Sequence, residues 1–171
     1  EAKEYPNLLK RDFSTDKINQ KWVTDMTYIY TLSDGWCYLS SILDLHSRKI
    51  IAWRLSRQME TRLVIETLQD SLSTRTVADG LILHSDRGSQ YTSKEYNDYL
   101  EHHSIRHSYS AKGCPYDNSC IESFHATIKK ECIYAEANIG YKDFQTCYDS
   151  IFKYIGGFYN SRRRHSKLNY I

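Results

Sequence analysis

The chain is poor in glycine and proline and contains no long apolar run. Its 7 glycines and 2 prolines among 171 residues exclude collagen-like and low-complexity chains. No apolar run approaches the roughly 18 residues of a membrane-spanning helix, so we expect no membrane partner. The charged residues 1–11 lack the apolar segment of a signal peptide, and export is therefore not expected. Aromatic residues make up 13% of the chain, which is typical of a folded domain with a core.

The cysteines lack the spacing of a disulfide framework or a zinc ribbon. There are 5 of them, an odd number, and no two are arranged as Cys-x-x-Cys. We therefore expect reduced thiols in a cytoplasmic protein. The net charge of +2 is too small to indicate a nucleic-acid partner, although basic residues are concentrated between Arg162 and Lys167. Taken alone, such a run is more typical of a solvated helix end than of a binding surface.

The hydrophobic periodicity predicts an α/β domain with a mixed five-stranded sheet flanked by helices. Strand-like alternation predicts three antiparallel strands first, at 21–30, 36–45 and 49–55, with a tight hairpin at Asp34-Gly35. The pattern then predicts helix 60–73, strand 81–85, helix 93–103, strand 105–109, and helices 119–134 and 142–160. This order is that of the RNase H-like fold. Residues 1–19 are interpreted as an N-terminal arm and residues 20–171 as one core domain.

Three carboxylates occupy positions where a purely structural role is unusual. Asp25 lies in the middle of a predicted strand, Asp86 follows the buried strand 81–85, and Glu122 lies near the start of a helix. A carboxylate inside a strand needs a partner or a metal ion, and strand ends are where α/β sheets form ligand sites. If the two strands are neighbours, Asp25 and Asp86 point into one pocket, which the helix completes with Glu122.

Three carboxylates in one pocket repel one another and require cations. Hard oxygen ligands suit Mg²⁺ or Mn²⁺, and two such ions about 3.5–4 Å apart can promote attack on a phosphodiester. Each acid also has a structural explanation. Asp25 could be a satisfied core aspartate, and Asp86 could simply begin a turn. Glu122 could cap its helix together with Ser119. Asp44, at the end of a predicted strand, is interpreted as structural.

Lys129 lies seven residues after Glu122 and therefore shares a helix face with it. We expect this face also to carry His125 and Ala126, with the apolar residues of the helix turned inward. A lysine beside a metal pocket suits a phosphate backbone, although two solvent-exposed residues at this spacing can also be a coincidence.

Two further patterns point to other kinds of site. His103 and Arg106 match the His-x-x-Arg pattern of tyrosine recombinases, but three opening strands argue against their mostly helical catalytic domain. A group of histidines and cysteines between His102 and His125 lacks the ligand-pair spacing of a zinc site, so zinc is not expected.

Five motifs occur in an order that identifies a family. They are WVTDMTY at 22–28, LDLHSR at 43–48, HSDRGSQY at 84–91, GCPYDNSCIESF at 113–124 and YNSRRRHSKL at 159–168. Together they resemble the catalytic core of bacterial insertion-sequence transposases with a retroviral-integrase-type domain, over about residues 20–170. Asp86 and Glu122 have 35 residues between them, which is similar to the Asp-x35-Glu spacing of that group.

The resemblance implies a metal-dependent enzyme that cuts and joins DNA at insertion-sequence ends, a two-metal-ion polynucleotidyl transferase. It implies that Asp25, Asp86 and Glu122 are the catalytic triad and hold two Mg²⁺ or Mn²⁺ ions. The implied partners are insertion-sequence ends and target DNA, with a homodimer or larger assembly on the DNA. The implied location is the bacterial cytoplasm, at the nucleoid when the protein is bound to DNA.

The resemblance also implies DNA-facing positions around the triad. Lys129 matches a basic position seven residues after the glutamate, and His84 and Ser85 are expected to support the site through hydrogen bonds. The loop 110–116 precedes the glutamate helix, and there Tyr109, Lys112 and Tyr116 could grip a displaced strand or be ordinary loop and core residues. The remaining candidates for DNA contact are Asn118, Arg164 and His165, while Tyr159 and Asn160 face DNA or pack in the core.

Two alternatives share parts of the pattern. An RNase H-type nuclease would use the same metal chemistry but would cut RNA–DNA hybrids without joining strands. A catalytically silent DNA-binding remnant would keep the fold, although it has no need of three acids in one pocket. Ser119 stands where the family commonly has alanine, a mild change that leaves the three acids untouched. The family's helix-turn-helix DNA-binding region is missing from this sequence, so we expect an isolated core.

Overall fold

The computed structural model describes residues 4–111, 119–130 and 141–160. Its strands are β1 (Lys21–Thr31), β2 (Gly35–Asp44), β3 (Ile50–Ser56), β4 (Ile82–Ser85) and β5 (Arg106–Tyr109). Its α-helices are α1 (Thr61–Thr74), α2 (Ser89–Thr92), α3 (Lys94–His102), α4 (Ser119–Ile128) and α5 (Phe144–Lys153), and a π-helical segment follows at Tyr154–Tyr159.

The five strands form one mixed sheet in the order β3-β2-β1-β4-β5. β1 and β2 pair antiparallel, as do β2 and β3, while β4 pairs parallel with both β1 and β5. Residues 32–34 form the first hairpin turn, and Gly35 ends it in the left-handed conformation, with φ of +69°. The connection through α1 returns the chain to the other side of β1 and so begins the parallel half. The predicted sheet, with its three antiparallel strands first, is confirmed.

Helices cover both faces of the sheet. On one face, Val23 packs with Phe124 of α4 and Ile151 of α5. On the other face, Trp22 packs with Leu68 of α1 and with residues of α3. Because side chains alternate along a strand, the odd-numbered residues of β1 face α4. Asp25 is one of them, which directs its carboxylate toward α4.

The helices differ from the sequence prediction mainly at their ends. The short α2 was not predicted, because a helix of 4 residues is too short to show a helical period. The helix predicted at 142–160 consists of α5 and the π-helical segment, which contains Gly156 and Gly157, both poor helix formers. α4 is described to Ile128, and the end predicted at residue 134 lies outside the described residues.

The stretch predicted as an N-terminal arm lies against β5. The N–H of Tyr109 donates to the carbonyl of Pro6 at 2.8 Å, and the N–H of Leu9 donates to Ser108 Oγ at 2.9 Å. The Leu9 side chain is buried in the core, and the ring of Tyr5 packs edge-on against Tyr109, 5.1 Å between centroids. These contacts shield one edge strand of the sheet.

Asn160 covers the opposite edge of the sheet. Its Oδ1 accepts the N–H of Ile50 at 3.0 Å, and its Nδ2 donates to the carbonyl of Ile50 at 3.1 Å. An edge strand otherwise leaves such backbone groups unpaired. Of the two roles left open for Asn160, these bonds support packing.

The described part of the chain contains no helix that is both long and apolar enough to cross a membrane. Cys37 and Cys147 are buried free thiols within it.

Asp44 holds the turn that follows β2. Its fully buried carboxylate accepts the N–H of Asn19 at 3.0 Å and the N–H of Ser47 at 2.9 Å. One bond closes the turn, and the other ties it to the segment before β1, which agrees with the structural interpretation of this residue.

We expect Asp44→Ala to lower the free energy of unfolding by about 1–3 kcal/mol, because two backbone N–H groups lose their acceptor. Asp44→Asn keeps one acceptor oxygen and should fall between the wild type and Asp44→Ala. Urea titrations in EDTA measure both changes. An Asp44→Asn variant that keeps its stability but loses affinity for Mg²⁺ would instead identify Asp44 as a metal ligand.

Candidate active site

The register of β1 and β4 brings Asp25 and Asp86 together. Val23 pairs with His84 across the two parallel strands. In a parallel pair, a step of two residues along each strand leads to the next pair of neighbours on the same face. That step leads from Val23 to Asp25 and from His84 to Asp86. The mid-strand aspartate and the strand-end aspartate are therefore adjacent and share the face covered by α4.

The Asp25 carboxyl is mostly buried beside a second acid. Its side chain is 15% exposed, and its Oδ1 accepts the N–H of Met26 at 2.9 Å. Burial, followed by the negative charge of Asp86, raises the pKa of Asp25 to about 8. A hydrogen bond between the two carboxyls and the charge of Glu122 act in the same direction. Without a cation, the Asp25–Asp86 pair therefore retains a proton at neutral pH.

Asp86 is held by the tight turn that begins with it. The N–H of Gly88 donates to Asp86 Oδ1 at 2.7 Å, and Ser85 Oγ donates to the Asp86 carbonyl at 2.8 Å. The alternative reading of Asp86 as a turn residue thus describes part of its geometry. The same turn aims the carboxylate toward Asp25.

Glu122 reaches the pair from the first turn of α4. Ile121 and Phe124 are fully buried against the sheet and fix the helix over β1, while Glu122 itself is exposed. Partial burial, followed by the charge of Asp86, raises the pKa of Glu122. Glu122 is therefore close enough to the pair for electrostatic interaction.

The donors at this site suit a hard divalent cation. Within residues 4–111, 119–130 and 141–160, no three side chains of His, Cys, Asp or Glu converge as a finished metal cage. Asp25 and Asp86 form a pair, and Glu122 lies close enough to interact with this pair electrostatically. All three donors are carboxylates, and a proton held between two of them is one that a cation can replace. The residues therefore fit Mg²⁺ or Mn²⁺.

His84 and Ser85 connect the site to β5. His84 is fully buried, with its Nδ1 2.8 Å from Ser108 Oγ and its Nε2 3.2 Å from Ser110 Oγ. Ser85 Oγ lies 2.7 Å from Nε2 of His107 as well as bonding to the Asp86 backbone. Through these bonds, β5 holds the main chain that carries Asp86.

His125 was wrongly predicted to share the exposed face of the glutamate helix. It is 6% exposed, and its Nδ1 lies 3.9 Å from Asp25 Oδ2. Residues 121, 124, 125 and 128 form the inner stripe of α4, with the i, i+3, i+4, i+7 spacing of a helix packed on a sheet. That spacing was present in the sequence and is the signal that would have placed His125 inside.

The predicted DNA contacts are only partly described. Lys129 follows α4 and is half-buried, close enough to His125 for its charge to help lower the pKa of that imidazole. Tyr109 is buried, and its hydroxyl donates to the Tyr91 carbonyl at 2.9 Å, so it belongs to the core. The other predicted contacts lie outside the described residues: Lys112, Tyr116, Asn118, Arg164 and His165.

Residues of the His-x-x-Arg pattern and of the histidine-rich stretch form hydrogen bonds within the fold. Arg106 donates from Nε and Nη2 to the Gly80 carbonyl at 3.2 and 3.1 Å, while His103 caps the end of α3. His107 lies 2.7 Å from Asn97 Oδ1 through its Nδ1 and contacts Ser85 through its other nitrogen. These bonds give the His-x-x-Arg pattern and the histidine-rich stretch structural roles.

Comparisons of the sequence show what this chain is similar to. Two family models, each described as an integrase core domain, match residues 15–115 and residues 103–171. Among curated proteins, the transposase InsF for insertion sequence IS3A of Escherichia coli (strain K12) is 44% identical over 160 residues. That match covers 94% of this chain and 54% of the relative. The chain thus spans about half the length of the curated relatives it matches first.

Solved structures share the fold. One is a chain in the cryo-electron-microscopy structure of the simian T-cell lymphotropic virus intasome in complex with PP2A regulatory subunit B56 gamma. It has a TM-score of 0.68 and 14% identity, and the match covers 82% of this chain and 49% of that one. Another is the HTLV-2 integrase catalytic core domain in complex with magnesium, in its trimeric form. Its TM-score is 0.58 at 16% identity, with 79% of this chain and 84% of that one covered. The RNase H-like fold predicted from the sequence is confirmed.

Because the pKa of Asp25 is raised, we expect the stability of the metal-free protein to depend on pH. The pKa is about 8 in the folded protein against an ordinary value of 3.8, so the folded state binds more protons between these values. Stability therefore falls as the pH rises through this window. We expect Asp25→Asn to raise the free energy of unfolding of the metal-free protein at pH 8 by at least about 1 kcal/mol, with little effect at pH 4.

Thermal unfolding in EDTA at the two pH values measures this change. Added Mg²⁺ should stabilise the wild type and leave Asp25→Asn unaffected, because only the wild type has the full carboxylate set. An Asp25→Asn variant that is less stable than the wild type at pH 8 would show that the pair stabilises the fold, and would contradict this account.

Gly88 is a second point at which the site can be tested. Its φ of −58° suits any residue, but a Cβ there would lie 3.0 Å from Asp86 Oδ1 and 3.4 Å from Gln90 Oε1. We expect Gly88→Ala to fold normally and to displace the Asp86 carboxylate, which weakens Mn²⁺ binding about tenfold (~1.4 kcal/mol).

Isothermal titration with Mn²⁺ measures the effect of Gly88→Ala. Gly156→Ala is the matched control, because a Cβ at Gly156 meets nothing within 4 Å. Equal Mn²⁺ affinity in both variants would mean that the close contact with Gly88 does not position Asp86.

Proposed function

The chain belongs to the integrase core domain family, and on that premise we propose that it is the catalytic core of an insertion-sequence transposase. The observation that supports the proposal most is the Asp25–Asp86 pair, two carboxyls that the pairing of β1 with β4 places side by side, where burial and the charge of Asp86 raise the pKa of Asp25. A buried acid pair of this kind is costly to a fold and is typical of a catalytic site. The transposase InsF relative is consistent with it.

We assign Asp25, Asp86 and Glu122 as ligands of two Mg²⁺ or Mn²⁺ ions. Bound there, such cations supply activation of an attacking oxygen and stabilisation of a leaving oxygen. The carboxylates themselves orient the site. Asp25 gives up its proton when the site is filled, while the Met26 and Gly88 N–H groups keep both aspartates in place. The HTLV-2 integrase core, solved with magnesium, has the same fold.

The proposed reaction consists of two displacements at phosphorus. In cleavage, a water oxygen forms a new bond to phosphorus, and the bond from phosphorus to the 3′ oxygen breaks. The proton lost by the water is balanced by the proton gained at the new 3′-OH. In joining, this 3′-OH attacks a target phosphodiester and releases a 3′-OH from the target. One phosphoester bond forms for each that breaks, so joining requires neither an energy source nor a covalent protein–DNA intermediate.

The proposed substrates are insertion-sequence ends and target DNA. Lys129 directly follows α4 and is assigned to a phosphate, together with the candidates Lys112, Asn118, Arg164 and His165. Two ends must be joined to one target, which requires at least a dimer on the DNA. The curated relatives are longer than this chain, and we assign recognition of the end sequence to their additional part. The proposed place of action is the bacterial cytoplasm, at the nucleoid.

The test is the reverse of the joining step, carried out on a branched DNA with Mg²⁺ or Mn²⁺. In this substrate, a 3′-OH at the branch attacks the junction and restores an intact strand, so no end recognition is needed. We expect Asp86→Asn to lower resealing at least about 100-fold, because a carboxylate ligand is worth several kcal/mol in such sites. Asp79→Asn is the control and should retain wild-type activity, because Asp79 is exposed and lies before β4, at the opposite end of that strand from Asp86.

The same assay separates the alternatives. Cutting of an RNA–DNA hybrid without resealing of branched DNA would identify an RNase H-type nuclease. Metal-independent DNA binding without either reaction would identify a silent remnant. Either result would overturn the proposed function.

A further inference from the structure

His125 is the one imidazole that the fold buries against the acid pair, within the part of the chain that the structure describes. Its side chain is 7% exposed, its ring packs 5.4 Å from the ring of Phe124, and its Nδ1 lies 3.9 Å from Asp25 Oδ2. Its Nε2 is buried with no hydrogen-bond partner among the described residues. A buried polar atom without a partner costs free energy, so a residue of this kind is retained for a reason other than packing.

The surroundings of His125 decide which nitrogen carries its proton. A doubly protonated ring would bury both a charge and an unpaired Nε2–H, so the ring carries a single proton. A proton on Nε2 would bury an unpaired N–H and would turn the Nδ1 lone pair toward the Asp25 carboxylate. A proton on Nδ1 leaves only a lone pair unsatisfied and directs an N–H at Oδ2. The second arrangement has the lower free energy.

We propose that His125 is a positioning residue for Asp25, with its Nδ1–H directed at Oδ2. The Met26 N–H already holds Oδ1 at 2.9 Å, so the two donors together fix the plane of the carboxylate. The remaining lone pairs then face Asp86 and the space where a cation fits. This inference rests on the proposed function, because it gives His125 a part in preparing the same metal site.

The 3.9 Å separation of His125 Nδ1 and Asp25 Oδ2 exceeds hydrogen-bond range. Donor–acceptor contacts in catalytic sites commonly shorten when the site is filled. We therefore expect the contact to shorten to a hydrogen bond when a cation binds.

The first test needs no metal. The ¹⁵N chemical shifts of a histidine ring distinguish a protonated Nδ1 from a protonated Nε2, and they can be measured on the metal-free protein at pH 7. We expect Nδ1 of His125 to carry the proton. A proton on Nε2 would overturn the inference, whatever the protein does with DNA.

The second test compares two substitutions of His125. His125→Asn keeps an N–H donor near the place of Nδ1, and His125→Phe fills the volume without a donor. We expect His125→Phe to weaken Mn²⁺ binding about 10- to 100-fold, the usual effect of losing a hydrogen bond to a metal ligand. His125→Asn should restore most of the affinity. His102→Phe, a replacement at an exposed histidine, is the control.

The outcomes separate this inference from the proposed function. Equal loss in His125→Asn and His125→Phe, with both folded, would show that the ring matters only for packing and would overturn the positioning role. Wild-type protein that binds no Mn²⁺ would count against the proposed function. In that case the position of the His125 proton still decides whether the imidazole donates to Asp25.

Discussion

The parallel pairing of β1 with β4 is the interaction on which the rest of this site depends. The pair Val23–His84 fixes the register, and one further step along both strands places Asp25 beside Asp86. A shift of one residue would turn one of the two carboxylates to the other face of the sheet. The N-terminal stretch lines one edge of this sheet, and Asn160 lines the other.

The fold brings together charges that oppose its own stability. Two carboxyls lie side by side, mostly out of water, and Asp25 responds by retaining a proton up to about pH 8. The backbone donors at Met26 and Gly88 orient the acids without neutralising them. Such an arrangement favours any divalent cation that can displace the proton, because the cation removes the repulsion and takes up the charge. The repulsion between the two carboxyls therefore both destabilises the metal-free protein and favours binding of a cation.

Much of the fold could be predicted from the sequence because each of the longer strands and helices shows a clear hydrophobic period. Strand β1, rich in Thr, Tyr and β-branched residues, and the amphipathic α1 were both predicted within a residue or two. Short elements and helix ends were harder to predict from the sequence. α2 has too few residues to show a period, and the hydrophobic pattern did not distinguish the π-helical segment from the α-helix before it.

The residues of the proposed site were predicted from the sequence, but their geometry was not. An aspartate inside an apolar strand is unusual enough to indicate function, and positions at a strand end and a helix start indicated the other two acids. The place of His125 was missed, because its polar character outweighed its position on the inner stripe of α4. The raised pKa of Asp25 depends on distances across strands, which no sequence pattern states.

Anomalous diffraction from crystals soaked in Mn²⁺ tests the central claim most directly. The account predicts a Mn²⁺ peak bonded to both Asp25 and Asp86 at neutral pH, which is lost in Asp86→Asn. A wild-type crystal at saturating Mn²⁺ in which the two carboxyls remain hydrogen-bonded to each other, with the metal bound elsewhere, would contradict it.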